Sequence, residues 1–168
     1  MAEDNEARVE RQAPVEDGDR ELGAGEVRPA EPFGPEAGIP VRDRPRAAHS
    51  SEELELIRRH ALLAAATASG LKGEDIRIID MHELVTYTDY LVVCSGRSTR
   101  QTRRIAEEVT LKLKKELGLV PAHTEGAGDG EWVLVDYLDF IVHVFTPEAR
   151  EFYRLDVLWK EAPALIIE

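Results

Sequence analysis

The sequence predicts an α/β (α+β) domain with a single mixed β-sheet of about four or five strands covered by helices. Its predicted elements follow the order helix, strand, strand, helix, strand, strand, helix. The run Tyr90–Ser95 is continuously apolar, which suits a strand buried on both faces in the middle of a sheet. The segment 98–117 has one apolar face at helical spacing, so it can cover such a sheet.

An acidic segment precedes this domain. The chain has 168 residues, of which 33 are acidic and 21 basic, with a formal net charge of −12. The first 50 residues hold six of the nine prolines and one aromatic residue, Phe33. Such a segment buries too little apolar surface to offset the entropy of ordering it. We therefore expect residues 1–48 to be a disordered, acidic, Pro/Gly-rich extension and residues 49–168 to be the folded domain.

Charge and composition argue against a broad nucleic-acid-binding surface, a secreted protein and a membrane protein. A net negative charge argues against gripping nucleic acid phosphates over a broad surface, because that binding depends on Lys and Arg. The single cysteine, Cys94, cannot form an intramolecular disulfide, which indicates a reducing compartment. There is no run of about 18 apolar residues that would predict a membrane span, and no apolar core of a signal peptide. We expect a cytoplasmic protein.

The first three elements have clear boundaries in the sequence. Ser50 and Glu53 fit a capping box, and apolar residues then recur at helical spacing, which predicts a helix over residues 50–69. The β-branched run 76–81 follows a turn-like segment and predicts a strand. The apolar run 90–95 predicts the next strand, which ends at a glycine.

The fourth element is the clearest helix in the chain. Ser98 and Gln101 fit a second capping box at its start, and Gly118 ends it. Its apolar face consists of Thr102, Ile105, Ala106, Val109, Leu113 and Leu117. Its opposite face carries Arg100, Arg103, Arg104, Lys112 and Lys115. Charge on the outer face of a helix is usually solvated surface, and contact with RNA is the alternative.

Two strands follow a glycine-rich loop over residues 125–130. The runs 132–136 and 140–145 predict an antiparallel hairpin. If strands 90–95 and 132–136 were parallel neighbours, they and the helix between them would form a right-handed crossover unit. These assignments place the glycine-rich loop at the entrance to the hairpin.

The last predicted element is a helix that begins at Thr146 and Pro147, which suit its N-cap and first position. We expect this helix to continue until Pro163. On that expectation Phe152, Leu155 and Trp159 share one side of it.

No residue pattern in the chain points to a metal or cofactor. The histidines are scattered, without zinc-site spacing, at positions His49, His60, His82, His123 and His143. Asp136 and Asp139 straddle the hairpin turn and could act as an acid–base pair or as magnesium ligands, but aspartate beside a turn more often bonds the turn's own backbone. Cys94, inside a predicted buried strand, is interpreted as a small apolar filler.

Trp132, Asp136 and Tyr137 cluster around the glycine-rich loop, and they suggest a surface that binds a partner. Trp and Tyr dominate binding hot spots. The alternative is that Trp132 belongs to the core. If Tyr137 is a central anchor of this surface, Tyr137→Ala should weaken binding by about 2 kcal/mol or more, and the fold should survive that change.

An ordered series of motifs between Leu71 and Trp159 resembles the ribosomal silencing factor family, also called RsfS or Iojap-like. The motifs are Leu71-Lys72-Gly73, Asp75, Asp80, Thr88-Asp89-Tyr90, Cys94-Ser95-Gly96, Ser98, Arg100-Gln101, Glu125-Gly126, Glu131-Trp132, Asp136-Tyr137, Asp139, Val142-His143-Val144-Phe145, Arg150, Phe152-Tyr153, Leu155 and Leu158-Trp159. The series is more specific than any single motif in it.

The resemblance implies a fold related to nucleotidyltransferases without their activity. Those enzymes need a Gly-Ser pair on a turn and two alternating aspartates that hold magnesium. Here Arg97 separates Gly96 from Ser98, and the following helix has only glutamates. We therefore expect a protein that is not an enzyme. The alternative is a nucleotidyltransferase-like enzyme with Asp80, Asp136 or Asp139 in metal roles.

The resemblance also implies a partner. Members of the family bind large-subunit ribosomal protein number fourteen and sterically block joining of the small subunit, which restrains translation when nutrients are limiting. The expected contact residues are Trp132, Asp136, Tyr137, Asp139, Arg100 and Gln101. No direct sequence-specific contact with nucleic acid is expected, and the sequence leaves open whether the chain forms a homodimer. A second alternative is a general RNA-binding module that uses Arg97, Arg100, Arg103 and Arg104.

One departure from the family pattern lies in the hairpin turn. Where the family usually has glycine, this sequence has Leu138. A turn that needs a positive φ would be strained at leucine, unless position 138 is extended.

Overall fold

The computed structural model describes residues 47–168, so the expectation for an extension over residues 1–48 lies almost wholly outside the described residues. The helices and strands are α1 (Ser51–Gly70), β1 (Glu74–Asp80), β2 (Tyr90–Ser95), α2 (Thr99–Leu117), β3 (His123–Glu125), β4 (Trp132–Asp136), β5 (Phe140–Phe145), α3 (Pro147–Tyr153), α4 (Leu155–Leu158) and β6 (Ala164–Ile167). No helix in this described part is both long and apolar enough to cross a membrane.

The strands form one mixed sheet in the order β3-β4-β5-β2-β1-β6. Strands β2 and β5 run parallel at its centre, in register from Tyr90 opposite Phe140 to Ser95 opposite Phe145, and every residue of both strands is buried. All other neighbouring pairs are antiparallel. The α+β class and the single mixed sheet are therefore confirmed, with six strands in the described residues instead of four or five.

The predicted crossover unit is wrong. The β4–β5 hairpin makes β4 antiparallel to β5, and β5 is parallel to β2. Strand β4 is thus antiparallel to β2 and separated from it by β5. The more apolar strand of the hairpin takes the central position, because both of its faces can be buried there.

Helices α1 and α2 pack on one face of the sheet. Small side chains line the buried side of α1, at Ala61, Ala64, Ala65 and Ala68, and let it approach closely. The buried side of α2 has the predicted residues from Thr102 to Leu113, but Leu117 at its end is exposed. Together with alternate residues of the strands, these side chains form the main core.

The caps of the two helices differ in detail. At α1 the predicted capping box is complete, because Ser50 and Glu53 bond each other's backbone N–H. At α2 the Ser98 hydroxyl accepts from the Gln101 N–H, but the Gln101 side chain accepts from the N–H of Arg97, at 2.8 Å, instead of that of Ser98. This second cap is therefore not the reciprocal box that was predicted.

The single C-terminal helix predicted up to Pro163 is also wrong. Helix α3 ends at Tyr153, because Arg154 adopts a left-handed conformation with φ 51°. A single turn, α4, and strand β6 follow. Phe152 does not share a buried side with Leu155, since it is 67% exposed while Leu155 is buried.

Candidate functional site

The glycine-rich loop is held against the start of both β4 and α2. Gly126 and Gly130 have positive φ values of 76° and 75°. A Cβ on Gly126 would lie 1.8 Å from the carbonyl oxygen of Trp132, and a Cβ on Gly130 would lie 2.6 Å from that of Thr99. The hydroxyl of Thr102 also donates to the Gly130 carbonyl. Both glycines are therefore structural requirements of the entrance to the hairpin.

Trp132 is half-buried on the face of the sheet opposite α1 and α2, so it is neither a core residue nor a fully exposed one. Its ring stacks on Phe145, with centroids 4.7 Å apart, and packs on Tyr153 of α3 at 4.5 Å. Its indole N–H donates to Nδ1 of His143 at 3.1 Å. The indole is thus held in one orientation by three aromatic neighbours.

His143 lies directly under this tryptophan in the central strand. Burial lowers the pKa of its imidazole to about 3. The ring is therefore neutral at physiological pH, and its Nδ1 is available to accept the indole N–H. His143 is therefore a structural residue of the sheet.

The hairpin turn is a strained γ-turn. The N–H of Asp139 donates to the carbonyl of Tyr137 at 2.9 Å, and Leu138 between them has φ 76°. The Asp136 carboxylate accepts from the N–H of Leu138 at 2.7 Å. Leu138 thus has the positive φ at which leucine is expected to be strained, and the alternative of an extended position 138 is wrong. Asp136 stabilises the turn's own backbone, as aspartates beside turns commonly do.

Tyr137 lies in the core, which differs from its expected place as an exposed anchor. The residue is 7% exposed, and its ring stacks on Phe140 with centroids 4.8 Å apart. Burial raises the pKa of its phenol. Among the described residues the hydroxyl has no hydrogen-bond partner of good geometry, although Thr110 lies beside it. Tyr137 therefore supports the turn from below.

Asp139 joins the turn to two segments distant in sequence. Its carbonyl accepts from the N–H of Asp89 at 2.9 Å and from the hydroxyl of Thr88 at 3.2 Å. Its carboxylate lies 4.0 Å from Nε2 of His49, and Nδ1 of the same imidazole lies 2.9 Å from Asp89. The motif Thr88-Asp89-Tyr90 thus fixes the far side of the hairpin turn.

His49, Asp89 and Asp139 are also the group in residues 47–168 that could hold a metal ion, with ligand atoms within 4.8 Å of one another. The sequence gives no sign of the role of His49, because 40 residues separate it from Asp89 and no ligand spacing links them. Asp80 and Asp136 are not part of the group. Asp80 instead lies 2.5 Å from His82 and, by hydrogen bonding, raises the pKa of that imidazole.

Arg100 and Gln101 lie at the start of α2 and have different roles. Arg100 is exposed. The Gln101 amide donates to the carbonyls of Leu71 and Lys72, both at 3.1 Å, while its oxygen accepts from the N–H of Arg97. Gln101 therefore fastens the α1–β1 loop to α2.

Cys94 is buried in β2 and packs in the main core. Burial raises the pKa of its thiol to about 12. A thiol with that pKa carries almost no thiolate at physiological pH, so it is not a nucleophile. The interpretation of Cys94 as an apolar filler is confirmed.

The chain and its fold have counterparts among known proteins. The family model described as "Ribosomal silencing factor during starvation" matches residues 54–168. The ribosomal silencing factor RsfS of Bacillus subtilis is 38% identical over 101 residues, which cover 60% of this chain and 85% of the relative. The crystal structure of a Chromobacterium violaceum protein has a TM-score of 0.60 and 38% identity, and covers 62% of this chain and 86% of the other.

A more distant relative is found in an animal. It is the mouse protein named "Mitochondrial assembly of ribosomal large subunit protein 1", 34% identical over 90 residues, which cover 52% of this chain and 39% of the relative. The mixed α+β fold is thus shared with proteins of the ribosomal silencing factor class. The chain belongs to the ribosomal silencing factor family, RsfS.

Proposed function

We propose that this protein is a translational repressor of the cytoplasm that acts on the large ribosomal subunit. It binds large-subunit ribosomal protein number fourteen and sterically blocks the small subunit from joining, which slows translation under nutrient limitation. The family match over residues 54–168 carries this proposal, because it spans nearly all of the described domain. The name of the mouse relative, which refers to assembly of the large subunit, supports the same ribosomal partner.

The proposed contact surface is the hairpin from Trp132 to Asp139. Trp132 offers a half-buried ring held in one orientation, and Leu138 at the tip is 37% exposed. The Asp139 side chain is 45% exposed, so it can pair with Lys or Arg of a basic ribosomal protein. Tyr137 contributes by supporting the turn, and Gln101 by fixing the neighbouring loop. A stable interface of this kind buries about 1,200–2,000 Å² in total.

The role is steric, so it requires no catalytic group and no cofactor. In this proposal Asp136 serves the turn, and the cluster around His49 fixes the hairpin to the start of the domain. The protein therefore acts by occupying a surface that the small subunit needs.

A charge reversal at the hairpin tests the proposal. Asp139→Lys should weaken co-sedimentation with large subunits by tenfold or more, because a carboxylate that pairs with a cation is replaced by a like charge. The matched control is Glu161→Lys, which makes the same charge change at a side chain that is 90% exposed, outside the hairpin. Both variants are also measured in a subunit-joining assay, with circular dichroism as the folding control.

The outcomes separate clearly. Wild-type protein that neither sediments with large subunits nor inhibits joining contradicts the proposed function. A folded Asp139→Lys variant that behaves as Glu161→Lys does in both assays places the contact surface elsewhere.

A further inference from the structure

The start of α2 concentrates positive charge on a domain that is otherwise acidic. Arg100, Arg103 and Arg104 lie in its first two turns, Arg97 precedes it, and its first turn contains no acidic residue. The chain as a whole carries a net charge of −12. The local charge is therefore opposite in sign to that of the protein.

Two of these arginines are engaged in the fold. Arg103 donates to the carbonyls of Thr99, at 3.2 Å, and Asp129, at 3.4 Å, so it holds the glycine-rich loop. Arg97 pairs with Glu74 at 2.5 Å, although its side chain remains 71% exposed. Contacts within the fold thus account for Arg103 fully and for Arg97 in part.

Arg100 and Arg104 have no such role. They are exposed, and within residues 47–168 neither side chain makes a hydrogen bond or an ion pair. Four residues apart, they lie on the same side of α2. The exposed Lys72 lies close by, because its carbonyl accepts from the Gln101 side chain at 3.1 Å. We call Lys72, Arg97, Arg100 and Arg104 the α2 basic patch.

The position of the patch is unfavourable for the helix itself. A helix N-terminus carries a partial positive charge, so cations there are repelled and acidic residues are preferred. At the opposite end of α2, Lys114 and Lys115 lie where the partial negative charge stabilises them. Helix stability accounts for the lysines but not for Arg100 and Arg104. An anionic partner accounts for the arginines.

The patch lies at the end of the sheet where β4 begins, and the turn of the proposed hairpin surface lies at the opposite end of β4. The glycine-rich loop that leads into β4 is bonded to α2 through Gly130 and Asp129. A partner that contains both a basic protein and RNA could therefore contact the hairpin surface and the α2 basic patch at once. The acidic hairpin suits the protein, and the basic patch suits phosphates.

We infer that the α2 basic patch binds the phosphate backbone of ribosomal RNA beside the protein that the hairpin contacts. This inference rests on the proposed function and adds RNA to it as a second partner. Phosphate contacts carry no base information, so the patch sets orientation and affinity without sequence specificity. Because each contact releases counterions, it also makes binding dependent on salt.

The test compares two double charge reversals on the same helix. The patch variant is Arg100→Glu/Arg104→Glu, and the control is Lys114→Glu/Lys115→Glu, which changes the net charge equally. Affinity for purified large subunits is measured between about 50 and 200 mM salt, and affinity for isolated ribosomal protein number fourteen is measured in parallel. Replacing the two arginines should leave the helix folded, since acidic residues suit its first turns.

For large subunits, the patch variant should have a shallower salt dependence than wild type. The magnitude of the slope of log affinity against log salt should decrease by about 2, one unit for each lost phosphate contact. The affinity of this variant for the isolated ribosomal protein should match that of the control. Equal salt slopes for the patch variant and the control on large subunits would overturn the inference. A loss of affinity of the patch variant for the isolated ribosomal protein would also overturn it, because the patch would then be a protein contact. Failure of the wild-type chain to bind large subunits would instead refute the proposed function.

Discussion

Leu138 at the tip of the hairpin is strained, and Leu138→Gly should relieve that strain. Its φ of 76° lies in the region that favours glycine, since a Cβ clashes with the backbone there. A residue other than glycine in such a conformation costs on the order of 1–3 kcal/mol. The hydrogen bonds that define the turn use only the backbone of position 138, so glycine preserves them.

Two opposing effects set the net magnitude. Glycine makes the unfolded chain more flexible, which lowers stability by about 0.4–1 kcal/mol. The leucine side chain is 37% exposed, so its removal costs part of the apolar burial. We expect Leu138→Gly to raise the free energy of unfolding by about 1 kcal/mol, which corresponds to about 3–6 °C in the melting temperature of a domain of this size.

Leu138→Ala is the matched control for thermal and denaturant unfolding of the full chain. Alanine loses the same apolar contacts but keeps a Cβ at a positive φ, so it should be no more stable than wild type. A glycine variant no more stable than the alanine variant would refute the strain argument.

Two further variants test residues beneath the site. Burial lowers the pKa of His143 to about 3, so below about pH 6.5 the unfolded chain binds a proton that the native state does not. The free energy of unfolding should therefore decrease as the pH is lowered below about 6.5, by up to about 1.4 kcal/mol per pH unit. His143→Gln should remove this loss between pH 6.5 and about 4 in denaturant titrations, and an unchanged pH dependence would contradict a neutral His143. Tyr137→Ala should destabilise by about 3–5 kcal/mol, whereas Tyr137→Phe keeps the stacked ring and should be neutral or stabilising by thermal unfolding. A Tyr137→Ala variant as stable as wild type would contradict the placement of Tyr137 in the core.

The elements with strong apolar patterns were predictable to within a residue or two. Strands β2, β4 and β5 begin and end where the sequence predicts. Strand β3 was missed because His123–Glu125 is short, polar and exposed, and it forms only through backbone pairing with β4. Strand β6 is an edge strand of four residues whose pairing with β1 is likewise a tertiary contact.

The break between α3 and α4 depends on contacts that no local pattern encodes. The buried guanidinium of Arg150 bonds the carboxylate of Asp156 at 2.9 Å and also the carbonyl of Asp75 at 2.7 Å and the hydroxyl of Ser95 at 3.0 Å. These bonds tie the last helices to the ends of β1 and β2. A continuous helix would not place Asp156 in the same relation to Arg150, because residues six apart lie on different sides of a helix.

At the candidate site, the sequence predicted residue types better than their orientations. The local chemistry of Asp136 in a turn and the strain at Leu138 follow from backbone rules, and both were predictable. The burial of Tyr137 was not, because it depends on stacking against Phe140 beneath the turn. The roles of Trp132, Asp139 and Arg100 in partner binding remain predictions.

The hairpin turn and the motif Thr88-Asp89-Tyr90 form one structural unit. Three groups of that motif, the Thr88 hydroxyl and the N–H groups of Asp89 and Tyr90, donate to the Asp139 carbonyl. The Asp136 carboxylate accepts from the backbone N–H of Leu138. A turn held in this way loses little conformational freedom when a partner binds, so less of the binding free energy is spent on ordering it. The aspartates and the threonine therefore act mainly by giving the surface a fixed shape. The proposed steric role would need a surface with this property.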